Sequence, residues 1–350
     1  MHLVHGGDWA GYEAEYGRSP LDFSANVSPL GVPTGVQAAI AGAAAAVDRY
    51  PDPLCRALRT AIAEAEKLPP EWILCGNGAA DLIWRLAAAK CPQEALLPVP
   101  SFAEYEAALR SVGCQVTHHV LSEQNDFLLD DSFLESITPK TQMVFLCEPN
   151  NPTGRTTPMP LLQAIVHRCR EVGAILVVDE CFGDFLDKPA AHTLIPLLEG
   201  NPHLVILKAF TKLYAMAGVR LGYALCADSR LLGKLYQTGS PWSVSSLAQA
   251  AGCAALQEKA YVQRVRALIQ VQRPLMSKGL QALGLRVVPG EANYLLFQCT
   301  VPLVAPLRER GILLRSCGNY PGLDDTWYRT AVRTESENCC LLAALREILR

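Results

Sequence analysis

Two apolar runs restrict the folds open to this chain more than any other feature of its sequence. Residues 174–179 (AILVVD) are apolar at consecutive positions and end in Asp179, and residues 143–147 (MVFLC) lead into a turn rich in Asn, Pro and Gly. A strand that is apolar at consecutive positions is buried on both faces, as in a parallel sheet covered by helices. Strand and helix signals alternate from about residue 54 to residue 250. The pattern predicts an α/β fold with a mainly parallel sheet.

The last hundred residues have a different pattern. A long amphipathic segment covers residues 250–283, and we expect Arg273-Pro274 to break it. Strand-like segments follow at residues 285–288, 294–297, 312–314 and 327–332, before a closing helix that a capping-box pattern opens at residues 334–337 (TESE). We predict an amino-terminal arm (1–40) associated with a small domain, a large domain (41–250), and an interdomain helix with a small α+β domain (251–350).

Composition excludes several classes of partner without identifying a function. The 350 residues are 50% apolar and 19% charged, with a net charge of -3, which gives no reason to expect binding to nucleic acid or a membrane. The first residues lack the pattern of a signal peptide, so we expect a cytoplasmic protein. The 13 cysteines include no CxxC pair, and several, such as Cys147, Cys181 and Cys226, lie in apolar runs. We expect buried thiols and no metal site.

Polar residues follow three predicted strands at the edge where ligands bind. In open α/β sheets this edge lies beyond the carboxyl ends of the strands, so Asn151, Asp179 and Lys212 should face one crevice. Arg220 follows Lys212 by eight residues within residues 209–223 (AFTKLYAMAGVRLGY). A desolvated lysine amine can bond to an aldehyde and a guanidinium can hold a phosphate, which is what pyridoxal 5′-phosphate (PLP) requires. Taken alone, the pair could be two surface cations.

These residues resemble those of fold-type I PLP enzymes in the class I/II aminotransferase superfamily. The resemblance implies that Lys212 bonds covalently to the cofactor, that Asp179 pairs with its pyridine nitrogen and that Asn151 bonds its ring oxygen. A carboxylate beside the ring nitrogen favours its protonated form, and a protonated ring is the better electron sink.

The resemblance extends to the predicted site of the cofactor's phosphate and ring. Residues 72–81 (WILCGNGAAD) predict a strand, a glycine turn and a helix start, where the amides of Ala79 and Ala80 would bind the phosphate opposite Arg220. Phe102 falls where the family places the aromatic ring that stacks on the pyridine, and Thr211 puts a hydroxyl beside Lys212. Without the family match, these segments would be interpreted as a loop and a core phenylalanine.

The two ends of the chain narrow the resemblance to one branch. The segments that carry it are residues 5–8 (HGGD), 22–31 (DFSANVSPLG), 49–52 (RYPD), 240–244 (SPWSV) and 314–324 (LRSCGNYPGLD). They resemble the threonine-phosphate decarboxylases of cobalamin biosynthesis, which are close relatives of histidinol-phosphate aminotransferases. The resemblance implies decarboxylation of L-threonine 3-O-phosphate to (R)-1-amino-2-propanol O-phosphate and CO2.

The same branch implies a set of substrate contacts. Arg329 matches the arginine that takes the substrate carboxylate, and Arg315 matches the one that binds its phosphate. The remaining substrate contacts that it implies are His5, Gly6, Asn26 and Asn151. Tyr50 matches a tyrosine that reaches across a dimer interface to the PLP phosphate, which implies a homodimer. Two arginines suit a dianionic substrate, although a pair of surface ion-pairing residues is the alternative.

The sequence departs from the wider superfamily at two positions and leaves other functions open. Ala209 stands where many relatives have a hydroxyl that binds the PLP phosphate, and Phe182 stands where many have a tyrosine that bonds the ring oxygen. The second change weighs slightly against ordinary transamination. The alternatives are a histidinol-phosphate-type aminotransferase, a serine-phosphate decarboxylase and a non-catalytic regulator with a PLP fold. The last is disfavoured because the chain has no basic patch or DNA-binding segment.

Overall fold

The computed structural model describes residues 6–350. The predicted substrate contact at His5 therefore lies outside the described residues. The strands are β1 (Leu21–Asp22), β2 (Ile73–Gly76), β3 (Glu94–Val99), β4 (Gln115–Val120), β5 (Met143–Cys147), β6 (Ile175–Asp179), β7 (Leu204–Ala209), β8 (Gly222–Leu225), β9 (Arg286–Val287), β10 (Tyr294–Gln298), β11 (Ile312–Leu313), β12 (Arg315–Ser316) and β13 (Trp327–Ala331).

Helices occupy most of the chain between these strands. They are α1 (Trp9–Tyr16), α2 (Thr34–Ala43), α3 (Arg56–Glu66), α4 (Gly78–Lys90), α5 (Ala103–Ser111), α6 (Phe133–Ser136), α7 (Met159–Val172), α8 (Phe210–Leu213), α9 (Ser229–Thr238), α10 (Ser246–Ala255), α11 (Lys259–Ala282), α12 (Val304–Glu309) and α13 (Glu335–Ile348).

The largest sheet has seven strands in the order β2-β8-β7-β6-β5-β3-β4. The pairs from β7 to β4 are parallel, and β8 pairs antiparallel with both β7 and β2. Every residue of β5 and β6 is buried. The predicted α/β fold with a mainly parallel sheet is confirmed.

Alternate residues of the central strands pack into two different cores. In β5, Val144 and Leu146 belong to one apolar cluster, whereas Met143 and Phe145 belong to another. The two clusters cover opposite faces of the sheet, because successive side chains of a strand point to opposite sides. This two-sided burial explains why the strands are apolar at consecutive positions.

A second, antiparallel sheet of four strands has the order β12-β13-β10-β9. It belongs to a third apolar core that contains Tyr294 and Phe297 and also Phe23 from the amino-terminal arm. The arm is tied to this region because β1 pairs in parallel with β11. We propose the division into residues 1–40, 41–250 and 251–350 on this basis, and its boundaries stay a prediction.

The expected break at Pro274 was wrong. Pro274 lies inside α11, which runs without interruption, and the chain turns earlier, between α10 and α11. Ile269 and Met276 are buried on either side of the proline, so packing holds the helix together although one backbone donor is missing. At α13 the predicted capping box is present, with Glu337 accepting from the backbone of Thr334.

The cysteines are all free thiols, but not all are buried. Cys147 and Cys226 are buried as expected. Cys181, which follows the end of β6, and Cys253 are only half-buried, and Cys91, Cys339 and Cys340 are exposed, so the expectation was wrong for these five. Within residues 6–350 no group of three or more His, Cys, Asp or Glu side chains could hold a metal ion, and no helix is long and apolar enough to cross a membrane.

Candidate active site

A cavity lies at the carboxyl ends of the parallel strands. It brings together nearly all of the residues that the sequence predicts for cofactor and substrate. Those residues are Gly6, Asn26, Ala79, Ala80, Phe102, Asn151, Asp179, Thr211, Lys212, Arg220, Arg315 and Arg329. Tyr50 does not line this cavity within the single chain.

Lys212 lies on the short helix α8, which begins directly after β7. Its amine faces the cavity, with Nζ 5.8 Å from the ring centroid of Phe182. Loss of hydration, together with the positive charges of Arg329 and Arg220, lowers the pKa of Lys212 to about 8. The amine is therefore uncharged in a useful fraction of molecules near neutral pH, as a nucleophile requires.

Asp179 is the last residue of β6 and is buried. Its Oδ1 accepts a hydrogen bond from the backbone N–H of Cys181 at 3.0 Å, and its Oδ2 accepts one from the Tyr105 hydroxyl at 2.7 Å. Charge-assisted hydrogen bonds of this kind stabilise an ionised carboxylate. The arrangement can hold a negative charge against the base of the cavity.

The amino terminus of α4 forms a cradle for an anion. Gly78 opens the helix with φ +81°, and a Cβ at this position would lie only 2.7 Å from Nη2 of Arg220. Ala79 and Ala80 follow in the first turn and line the cavity beside that guanidinium. Backbone amides at a helix start together with an arginine are a typical site for a phosphate group. Ala209 contributes no hydroxyl here, whereas Thr211 does.

Arg315 and Arg329 lie side by side on two adjacent strands. They are register partners in the antiparallel pair β12–β13, and both are buried. Arg315 Nη2 donates to Asn319 Oδ1 at 2.8 Å, while Arg329 donates to Asn151 Oδ1 at 2.5 Å and to the Ser24 carbonyl at 2.7 Å. No carboxylate of residues 6–350 forms an ion pair with either guanidinium, so both can take an anion.

Several buried polar atoms of the cavity wall lack a hydrogen-bond partner. Among the residues that the structure describes, Asn26 Nδ2, Asn26 Oδ1 and Arg329 Nε have none. Buried polar groups in native proteins are usually paired, and a bound ligand would supply the missing partners. These atoms, the glycine cradle of α4 and the amine of Lys212 fit a phosphorylated aldehyde cofactor with an anionic substrate beside it.

The amino-terminal arm closes one side of the cavity. The backbone N–H of Gly7 donates to Ser24 Oγ at 2.8 Å, which holds the arm against the loop that carries Asn26. A Cβ at Gly6 would lie 2.5 Å from the Ser24 carbonyl, so only glycine fits this close approach.

Tyr50 lies apart from the cavity. Its side chain is 80% exposed and stacks on Trp242, with ring centroids 4.5 Å apart. Trp242 is exposed as well, so the two rings form an aromatic patch on the surface of the chain. Its predicted contact with the phosphate of a partner subunit stays a prediction.

Sequence reasoning missed several residues of the site. Among them, Ser24, Cys181 and Tyr320 line the cavity, and Tyr105 reaches Asp179 from outside it. For Tyr105 a signal existed, because it follows Phe102 by three residues at a helix start and therefore shares its face. For the others the sequence offers no pattern that separates them from ordinary loop residues.

The comparisons with known proteins agree with this geometry. A family model described as aminotransferase class I and II matches residues 18–345. Threonine-phosphate decarboxylase of Salmonella typhimurium is 41% identical over 356 residues, which cover 100% of this chain and 97% of the relative. Histidinol-phosphate aminotransferase of Symbiobacterium thermophilum is 36% identical over 330 residues, covering 93% and 89%.

A solved structure extends the agreement to the fold. The crystal structure of histidinol-phosphate aminotransferase from Clostridium acetobutylicum matches with a TM-score of 0.88 and 27% identity, covering 94% of this chain and 98% of that one. The chain therefore belongs to the aminotransferase class I and II family, and it is an enzyme of the PLP-dependent type that this family comprises.

Proposed function

We propose that this enzyme decarboxylates L-threonine 3-O-phosphate to (R)-1-amino-2-propanol O-phosphate and CO2. The observation that carries the proposal is the adjacent pair Arg315 and Arg329, which line the same cavity as Lys212. One guanidinium suits the carboxylate and the other suits the phosphate of such a substrate. An amino acid without a phosphate would leave one of these charges buried and unpaired.

PLP would be held by residues from several strand ends. Its aldehyde would bond to Lys212, its ring would lie beside Phe102 and Asp179, and its phosphate would lie between Arg220 and the first turn of α4. Thr211 would donate its hydroxyl to that phosphate and Asn151 would donate to the ring oxygen. When bound, PLP supplies an electron sink that takes up the electron pair released when a bond to the substrate Cα breaks.

The side chains of this enzyme would supply orientation and one proton. Arg329 would hold the substrate carboxylate, and Arg315 would hold its phosphate, assisted by contacts from Gly6 and Asn26. Two anchors on a short substrate orient its other substituents without a further residue. Because CO2 leaves without a proton, one must be added at Cα, and the Nζ of Lys212 can donate it since its pKa is about 8.

The relatives support the proposed decarboxylation and one alternative reaction. The 41% identity to a threonine-phosphate decarboxylase over the full chain favours decarboxylation and, with it, a role in cobalamin biosynthesis. The 36% identity to a histidinol-phosphate aminotransferase favours amino transfer as the second candidate. Both readings use Lys212 as a proton carrier, so residue types alone do not separate them.

We further propose a cytoplasmic homodimer in which Tyr50 acts on the partner subunit's cofactor. The exposed stack of Tyr50 on Trp242 supports an interface at this surface. The 13 free cysteines support a reducing compartment.

The experiment that tests the proposed reaction measures products with threonine phosphate as the only substrate. The PLP-loaded protein should turn over many times without an oxo acid and release one CO2 per amine phosphate formed. The Lys212→Ala protein serves as the inactive control. If turnover stops after one equivalent and resumes only when 2-oxoglutarate is added, the enzyme is the aminotransferase instead.

Serine phosphate tests how closely the pocket fits the substrate methyl group. One methyl group in a pocket changes the transition-state energy by about 1–3 kcal/mol. We therefore expect threonine phosphate to have a kcat/KM about 10-fold higher than that of serine phosphate, measured side by side by CO2 release. Equal values would show that no pocket recognises the methyl group.

A further inference from the structure

The phenol of Tyr105 lies behind the cavity in direct contact with Asp179. Tyr105 is completely buried on α5, and its hydroxyl donates to Asp179 Oδ2 at 2.7 Å. It reaches the carboxylate from an element 74 residues earlier in the chain. The other carboxylate oxygen, Oδ1, is held by the backbone of Cys181. The two hydrogen bonds together fix the plane and direction of the carboxylate.

The Tyr105 ring is itself held in place by two aromatic neighbours. It stacks on Phe145 of β5, with centroids 4.9 Å apart and an interplanar angle of 13°. It also meets Phe102 edge to face, with centroids 5.5 Å apart and an angle of 81°. Both geometries are favourable for aromatic pairs. Tyr105 therefore touches both the residue proposed to lie against the cofactor ring and the residue proposed to pair with its nitrogen.

The hydroxyl stays a proton donor throughout the accessible pH range. Burial, and then the negative charge of Asp179, raise the pKa of Tyr105 well above its usual value. A phenolate beside an ionised carboxylate would also leave two like charges buried together. Tyr105 is therefore the donor of this hydrogen bond, and Asp179 is its acceptor.

We propose that Tyr105 is a positioning residue that holds the Asp179 carboxylate aimed at the cofactor nitrogen, with its ring coupling Asp179 to Phe102. It touches neither substrate nor cofactor and acts through these two side chains. The inference rests on the proposed function only in requiring that PLP binds in this cavity. It holds equally for decarboxylation and for amino transfer, because both reactions use the same cofactor.

The test uses Tyr105→Phe, which removes the hydroxyl and keeps the ring. Its matched control is Tyr223→Phe, since the buried Tyr223 also donates to a carboxylate, that of the half-buried Glu66, but does not line the cavity. Binding of PLP to the apoprotein is measured by equilibrium titration. Loss of a hydrogen bond to a charged group should weaken cofactor binding about 10-fold in Tyr105→Phe and by less than about twofold in the control.

The absorbance spectrum of bound PLP gives a second readout. Asp179 is held by one donor at each carboxylate oxygen, Tyr105 at Oδ2 and the backbone of Cys181 at Oδ1. Only the Tyr105 contact changes in the variant. We expect Tyr105→Phe to shift the absorbance bands of bound PLP, because the carboxylate beside the cofactor nitrogen has lost one of its two donors, whereas Tyr223→Phe should keep the spectrum of the parent enzyme.

A double-mutant cycle separates positioning from a structural role. In an Asp179→Asn background, Tyr105→Phe should change PLP binding by less than about twofold, because its effect passes through the carboxylate charge. Equal losses with and without Asp179 would overturn the proposal. So would a Tyr105→Phe protein that binds PLP like the control, or one that fails to fold by circular dichroism. CO2 release is not needed for any of these readouts, so failure of the proposed reaction stays distinguishable.

Discussion

Lys208 and Lys212 are four residues apart and have opposite electrostatic environments. Lys208 is buried and paired with Glu66 at 2.9 Å and with Asp184 at 3.5 Å, and these charges raise its pKa. Lys212 forms no ion pair among residues 6–350, and its pKa is lowered to about 8. The first lysine is a structural cation, and we propose that the second is the nucleophile. A lysine with a lowered pKa and no ion-pair partner at a strand end is the better candidate for a functional residue.

This contrast predicts where PLP attaches. When the apoprotein is treated with PLP and then borohydride, peptide mapping should find the label on Lys212 and none on Lys208. Because only the uncharged amine reacts, the rate of capture should rise with pH and level off above about pH 8. Covalent label that persists in Lys212→Ala would contradict the assignment.

The paired arginines make separate predictions for the two anions of the substrate. Arg315→Gln should raise the KM for threonine phosphate about 10-fold or more, because the charge-assisted bond to the phosphate is lost. It should leave binding of L-threonine, measured by competition, nearly unchanged. Arg329→Gln should weaken the binding of both threonine phosphate and L-threonine.

Arg333 supplies the matched control for these two variants. It also lies near β13, but it pairs with Glu337 at 2.7 Å and does not line the cavity. We expect Arg333→Gln to leave the binding of both ligands unchanged. If Arg315→Gln weakened L-threonine as much as threonine phosphate, its phosphate role would be wrong.

At the scale of elements, the start of α4 combines two residues with positive φ beside the proposed phosphate site. Gly78 has φ +81°, and a Cβ added there would lie 2.7 Å from Nη2 of Arg220, which itself has φ +59°. A residue with a β-carbon adopts a positive φ only when its surroundings hold it in that conformation. The close approach brings a guanidinium and free helix amides to one point.

Gly78→Ala should therefore affect cofactor binding in addition to stability. Gly200→Ala is the matched control, because Gly200 has the same φ of +81° and nothing within 4 Å of an added Cβ. Both variants should lose about 1 kcal/mol of unfolding free energy from the left-handed conformation. Only Gly78→Ala should bind PLP more weakly, measured by titration of the apoprotein. Equal PLP affinities would argue against a phosphate at this helix start.

At the scale of the whole molecule, one predicted site residue, Tyr50, lies outside the cavity of the single chain. Tyr50 and Trp242 form an exposed aromatic pair, and Leu54 nearby is also exposed. Exposed apolar residues that lie together often mark a contact between proteins. The shared-site homodimer would bury this pair and bring Tyr50 to a second cofactor.

Mixed dimers test the shared site. Subunits of Lys212→Ala and Tyr50→Ala, each inactive alone, should regain about a quarter of wild-type activity after mixing, because one site in each mixed dimer has both residues. A mixture of Lys212→Ala and Asp179→Ala should regain none, since those residues act within one chain. A fully active Tyr50→Ala protein, or sedimentation as a monomer, would refute the shared site.

The sequence by itself determined the central layers of the fold and the positions of the proposed catalytic residues. Consecutive apolar residues in β5 and β6 require burial on both faces, and the residues that follow parallel strands must meet at one edge. These rules depend only on local pattern and strand geometry. They place Asp179 and Lys212 at one edge of the sheet, and the family resemblance supplies their proposed roles.

Only the tertiary structure decided which distant side chains complete the site. Tyr105 meets Asp179 across 74 residues, Lys208 meets Glu66 across 142, and Arg329 meets Asn151 across 178. Packing likewise keeps α11 continuous at Pro274 and pairs β1 with β11. Such contacts depend on how whole elements pack, and no local pattern encodes that packing. The sequence therefore specified the reactive groups, whereas the packed fold specified the partners that set their charge and direction.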